Sequence, residues 1–114
     1  MAYVDGFLIP VPTENKEKYI AFSKKWTQHF KEWGALSIYE CWGEDVPPGK
    51  LTSFPLAVDL SEDETVVFSW TVWPDKPTRD AAWKKIQEFP EPDEIPFDGK
   101  RMIFGGFEPV HVVE

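Results

Sequence analysis

The sequence predicts an α+β sandwich of the ferredoxin-like βαββαβ type, with an extra short edge strand and a second copy of the chain against its sheet. Three observations carry that prediction. Two stretches space their large apolar residues at helical intervals. Stretches rich in β-branched and aromatic residues flank each of them. Those strand-like stretches are apolar on both faces, although two helices cover only one.

The elements follow in order. Tyr3 to Val11 reads as a strand that Pro10 and Pro12 bring to an end. Thr13 is positioned to cap the helix that follows. From Glu14 to Trp33 the residues Tyr19, Phe22, Trp26, Phe30 and Trp33 form one helical stripe, and Gly34 supplies the stop. Ala35 to Gly43 alternates, with Leu36, Ile38, Glu40 and Trp42 in phase. Glu44 to Ser53 is a loop, given Pro47, Pro48 and Gly49. Phe54 to Leu60 is the extra short strand, which Pro55 confines to an edge. After a polar turn over Ser61 to Glu64, Thr65 to Trp73 is the clearest strand in the chain. Asp75 is placed to cap a second helix with Pro77 in its first turn, and Ala82, Trp83, Ile86 and Phe89 form its stripe. Pro90 to Pro96 is an acidic loop, Asp98-Gly99 a turn, and Lys100 to Val113 the last strand, with Gly105-Gly106 inside it.

Right-handed crossovers would put both helices on one face of the sheet. On the first strand Tyr3, Phe7 and Ile9 point one way and Val4 and Leu8 the other. On the last, Ile103 and Phe107 oppose Met102 and Phe104. Both faces therefore call for cover. The economical cover for the second is another copy of the chain, a homodimer through the sheet face. The alternative is a monomer whose acidic loops fold over that face.

Length and composition bound the function. The 114 residues suit one domain spanning residues 1–114, and 42 % apolar content is too high for disorder. A net charge of −8 argues against nucleic acid and against anionic membranes as partners. Cys41 is the only cysteine, so no intrachain disulfide is expected. With two histidines beside it, no metal site is expected either. The N-terminus lacks a signal-peptide pattern, and no apolar run reaches the ~20 residues of a membrane span, so a cytoplasmic protein is expected.

Four motifs resemble a known family. Tyr3-Val4-Asp5-Gly6-Phe7, Glu40-Cys41-Trp42-Gly43, Val66-Val67-Phe68-Ser69-Trp70 and Pro96-Phe97-Asp98-Gly99-Lys100-Arg101-Met102-Ile103 are similar to the YbaA-like family of uncharacterised bacterial proteins. The likeness runs over nearly the whole chain. That family in turn looks like part of the dimeric α+β barrel group, which includes cofactor-free antibiotic-biosynthesis monooxygenases, haem-degrading monooxygenases and stress-responsive proteins. The resemblance implies a ferredoxin-like dimer and brings no established activity.

The candidates for chemistry are few. Glu40 shares a phase with apolar residues, where burial would suit a carboxylate to acid–base work, or where Lys100, Arg101 or Arg79 would pair with it. Asp5, in phase with Tyr3, Phe7 and Ile9, invites the same argument or a structural hydrogen-bonding role. His29 flanks the first helical stripe and is the one candidate proton relay or haem ligand. Trp26, Trp42, Trp70 and Trp73 could line an aromatic cavity or simply form the core. Arg101, with Lys100, could hold a carboxylate ligand or pair with the acidic surplus. Cys41, on the other face from Glu40, reads as an inert thiol, and His111 as an exposed or interfacial residue. The Gly105-Gly106 pair reads as a bulge or a close approach. The functional expectation is a small dimeric protein that binds or oxidises a small aromatic or quinone-like molecule without a cofactor. The alternative is a non-catalytic dimeric module with a structural or stress-related role.

Overall fold

The computed structural model describes residues 2–92 and 94–114; Met1, and Asp93 in the predicted acidic loop, lie outside the described residues. The elements are β1 (Tyr3–Pro12), α1 (Lys16–Glu32), β2 (Ser37–Trp42), α2 (Phe54–Ala57), β3 (Glu64–Trp73), α3 (Lys76–Glu88) and β4 (Ile103–Phe107). The strands make one four-stranded sheet in the order β2-β3-β1-β4, and every neighbouring pair is antiparallel. β1 and β3 are the long central strands, paired from Tyr3↔Trp73 to Pro12↔Glu64. β4 pairs with β1 only over Val4 to Leu8. Pro10 and Pro12 therefore sit where β1 has a neighbour on one side alone, so their missing N–H groups break no second ladder.

Local signals explain most boundaries. Gly34, at φ +112°, ends α1: its own N–H returns to the Lys31 carbonyl at 3.2 Å and that of Ala35 to Phe30 at 2.9 Å. Asp75 caps α3 by accepting the Thr78 N–H at 2.8 Å, with Pro77 in the first turn. Thr13 does not act as the predicted cap. Its hydroxyl pairs with that of Thr65 at 2.8 Å, and one 3-10 turn, Thr13–Asn15, leads into α1.

Two predicted strands are corrected. Phe54 to Leu60 is not an edge strand. Ser53 accepts the Leu56 N–H at 3.0 Å and Pro55 lies in the first turn, so the segment closes into the one-turn helix α2. A proline that cannot serve a ladder fits a helix start. The last strand is Ile103–Phe107 rather than Lys100 to Val113. The Asp98-Gly99 turn extends to Arg101, whose N–H bonds the Asp98 carbonyl at 3.3 Å, and Pro109 follows the strand's end.

α1 and α3 pack on the same sheet face. That face carries Asp5, Phe7, Ile9 and Val11 of β1, Val67, Ser69, Thr71 and Trp73 of β3, and Ile38, Glu40 and Trp42 of β2. Its core has two centres. One joins Ile9, Val11 and Val67 to Tyr19; the other joins Trp73 to Ala35 and Ala82. Full burial of Ile9, Val11 or Val67 stabilises the fold by roughly 1.5–3 kcal/mol each. The opposite face remains apolar and largely uncovered within the single chain. Tyr39 is 54 % exposed, Phe68 44 %, Ile103 43 % and Phe107 61 %. α2 shields one corner, where the Phe54 ring lies 5.7 Å from that of Phe68. Among the described residues, no helix is long and apolar enough to cross a membrane.

Candidate functional site

Tyr19 and Ser23 lie one turn apart on α1, so both project from the same side of the helix, toward β2. There they meet Glu40. The Tyr19 hydroxyl donates to both carboxylate oxygens, at 3.2 and 3.1 Å, and the Ser23 hydroxyl donates to Oε2 at 2.5 Å. Tyr19 and Ser23 are buried, whereas Glu40, on an edge strand, keeps an open side. Burial, then the Glu40 charge and its hydrogen bond, push the Tyr19 hydroxyl far above the ordinary phenol range. Tyr19 therefore stays a donor at any working pH. An ionised carboxylate has about four acceptor sites, and these hydroxyls occupy only some of them. The rest can take a ligand's O–H or N–H.

Glu40 stands where two hollows meet. An outer groove of about 460 Å³ runs between α1 and β2, and an inner chamber of about 250 Å³ lies between the helices and the sheet. Both are lined by Tyr19, Ser23, Thr27, Ile38 and Glu40. Phe22, Trp26, Trp83 and Phe97 wall the inner chamber, and Ser69 and Thr71 add hydroxyls from β3. Phe97 packs edge-on against Tyr19 at 5.9 Å and Phe22 at 5.6 Å. An apolar chamber with a few convergent polar groups is the usual form of a small-molecule site.

The other sequence candidates occupy different places. Asp5 is on the same sheet face but 1 % exposed and outside both hollows. Its Oδ2 accepts the indole N–H groups of Trp73 and Trp83, each at 2.9 Å, and the Arg79 guanidinium grips it at 2.9 and 3.0 Å. The Arg79 guanidinium also lies over the Tyr3 and Trp83 rings, at 5.2 and 5.3 Å from their centres. Asp5 thus has the structural role. The ion pair that the sequence offered Glu40 with Arg79 is made by Asp5, and Arg101 pairs with Glu64 and Asp98 instead. Arg101 also bonds the carbonyls of Val58 and Asp59, so its donors are largely engaged away from the cleft.

His29 does not reach the cleft. Its ring stacks on Trp33 at 5.6 Å and meets Phe89 edge-on at 5.0 Å, with Glu32 at 3.9 Å from Nδ1. Trp26 lines the inner chamber and Trp42 the outer groove. Trp70 is on the opposite sheet face, stacked 4.8 Å from Tyr39. Trp73 is a core residue. Cys41 lies beside Phe68 in the phase opposite to Glu40, and His111 is exposed. Gly106 pairs with Asp5, and a Cβ there would come within 2.5 Å of the Tyr3 hydroxyl and 2.8 Å of Arg79, so the close approach is within the chain. Among the described residues, no group of three His, Cys, Asp or Glu could hold a metal ion.

Sequence reasoning missed Ser23, Tyr19 as a donor, and Trp83 as a partner of Asp5. Ser23 had a signal: it interrupts the apolar stripe of α1 one turn after Tyr19, on the side facing β2.

A family model described as "Protein of unknown function (DUF1428)" matches residues 2–99. The uncharacterised protein YbaA of Escherichia coli K12 is 51 % identical over 114 residues, covering 96 % of this chain and 97 % of that protein. The uncharacterised protein YbaA of Shigella flexneri matches at the same identity and coverage. Among solved structures, the de novo designed protein Foldit4 aligns with a TM-score of 0.49 at 13 % identity, over 96 % of this chain and 99 % of that one.

Proposed function

The chain belongs to the DUF1428 family, whose function is unknown, and we propose that it binds a small aromatic or quinone-like molecule in the cleft between its helices and sheet. One observation carries the reading: Glu40, held among the described residues by two hydroxyls and by no cation, opens into a chamber walled by Trp26, Trp83, Phe22 and Phe97. A flat ring stacks on those side chains, and its hydroxyl donates to Glu40. Glu40 can also accept that proton outright, the first step in making a phenol or hydroquinone more electron-rich. In the oxidative form of the reading, a hydroquinone gives two electrons and two protons to dioxygen, yielding quinone and hydrogen peroxide without a cofactor.

The sheet order β2-β3-β1-β4, with α1 and α3 on one face, supports a ferredoxin-like βαββαβ sandwich. The proposed assembly is a homodimer in which two copies cover each other's open faces, as in a dimeric α+β barrel. Tyr39, Phe68, Trp70, Ile103 and Phe107 are the residues that such a partner would bury.

Two experiments test these readings. Tryptophan emission should be quenched saturably by 2-naphthol or a naphthoquinone, and Glu40→Gln should weaken the naphthol by about tenfold, the loss of a charge-assisted hydrogen bond. No quenching by any flat aromatic would leave the non-catalytic module as the reading. Oxygen uptake with a hydroquinone, abolished in Glu40→Gln, separates turnover from binding. Sedimentation at micromolar concentration should give a dimer that Phe107→Glu dissociates; a wild-type monomer would sink the assembly.

A further inference from the structure

The mouth of the cleft differs in charge from the rest of the molecule. The chain carries 20 acidic and 12 basic residues. Yet the outer groove is bordered by Lys16, Lys24 and Lys31, and Glu40 is the one carboxylate among the described residues that line it. Their spacing along α1 keeps these lysines near one stripe of the helix, facing β2 across Ser23 and Thr27. Among the described residues, none of the three pairs with a carboxylate; Lys18, Lys25, Lys50, Lys84, Lys85 and Lys100 do not either, and what sets Lys16, Lys24 and Lys31 apart is that they border the groove. The Lys16 ammonium sits 5.4 Å from the centre of the Trp42 ring, and Lys31 donates to the Leu36 carbonyl at 3.1 Å. Lys24, one residue on from Ser23, makes no side-chain hydrogen bond or ion pair among the described residues. Three ammonium groups with no carboxylate partner among the described residues thus stand at the mouth of one hollow.

We infer that the ligand is an aromatic anion: its ring enters the inner chamber, and its carboxylate or sulfonate stays at the mouth and pairs with Lys24, with Lys16 in support. This rests on the reading of the cleft as an aromatic site and adds the charge of what enters. The geometry sorts the ligand's parts. Among the described residues the inner hollow is lined mostly by apolar side chains and by no cation, so an anion there would lose hydration against those walls and meet no counter-charge. The outer groove offers ammonium groups and solvent. Glu40, between the two, repels a carboxylate placed deep and accepts a hydroxyl carried on the ring. A hydroxyaryl carboxylate meets all three demands. The lysines also attract an anion to one spot on a protein that otherwise repels it, which raises the rate of encounter and makes it salt-dependent.

The test compares 6-hydroxy-2-naphthoate with 2-naphthol, which has the same rings and hydroxyl but no carboxylate. Calorimetric titration of the full chain at low ionic strength should show the acid binding about tenfold tighter, the order of one partly desolvated ion pair. Lys24→Gln should remove most of that advantage, and Lys16→Gln part of it, while 2-naphthol binds each variant as it binds the wild type. High salt should erode the acid's advantage alone. Equal affinity for the two probes, or an advantage that survives both substitutions, overturns the inference and leaves the aromatic site standing. Failure of both probes to bind overturns the aromatic site and the inference with it. Both lysines are exposed on one helix, and unchanged circular dichroism of the variants will show that the fold is intact.

Discussion

Asp5 and Glu40 invite comparison, since both are carboxylates in apolar strand phases on the same face of one sheet. Asp5 lies on a central strand beneath α3, where a guanidinium and two indole N–H groups use its acceptors. Glu40 lies on the edge strand β2, where two hydroxyls hold it and one side stays open. Depth and partner type decide what each can do. A charge fully enclosed by its counter-charge is part of the framework. A charge held by neutral donors beside a cavity keeps capacity for something else.

The contrast breaks down unless substitutions at the two sites behave differently. Asp5→Ala should have the largest effect. It leaves Arg79 and two indoles without their acceptor and should cost about 3–5 kcal/mol in urea denaturation. Trp83→Phe removes one donor to that carboxylate and should cost about 1–3 kcal/mol. Glu40→Gln, which keeps an acceptor for Tyr19 and Ser23, should cost under about 1 kcal/mol while weakening ligand binding. A Glu40→Gln protein as unstable as Asp5→Ala would make Glu40 structural too.

A third carboxylate sharpens the comparison through pH. Hydrogen bonds from Arg101, with further help from the Ser61 N–H, lower the Glu64 carboxyl from 4.5 to about 2. The folded form thus holds its charge below the pH at which the unfolded chain gains a proton. Stability from this group is complete above about pH 4.5 and is lost as pH falls toward 2. Glu64→Gln should flatten the acid limb of a stability curve over that window, measured by urea midpoints. An unchanged limb would assign acid sensitivity to other carboxylates.

Much of this was legible in the residues themselves. The helical stripes, Gly34, Asp75 with Pro77, and the apolar residues on both faces of the strands all mark elements that the structure contains. Local chemistry fixes such features. The apolar residues of Phe54 to Leu60 suit either state, and Ser53 with Pro55 tips the balance toward a helix start. Lys100 to Val113 has the composition of one long strand, but Val110, Val112 and Val113, for all their strand propensity, have no pairing partner among the described residues. Phase put Glu40 and Asp5 among apolar residues, but not on a common face with known neighbours. Which cation goes to which acid depends on helix placement across long sequence separations, as Asp5 with Arg79 illustrates. Ser23 is a lone serine in an apolar stripe, and its role exists only where β2 lies beside it.

Gly106 has a consequence for how the sheet comes apart. β4 is short, bordered on one side only, and crossed at Gly106 by the Tyr3 hydroxyl and the Arg79 guanidinium. β1 and β3 are longer, and each is hydrogen-bonded on both sides over part of its length. In amide hydrogen exchange, β4 should open first, with protection far below that of its neighbours. A methyl group at Gly106 would lower that threshold further, and the Arg79 grip on Asp5 would loosen in the same event. The last strand is in this sense the latch on the most deeply buried charge in the molecule.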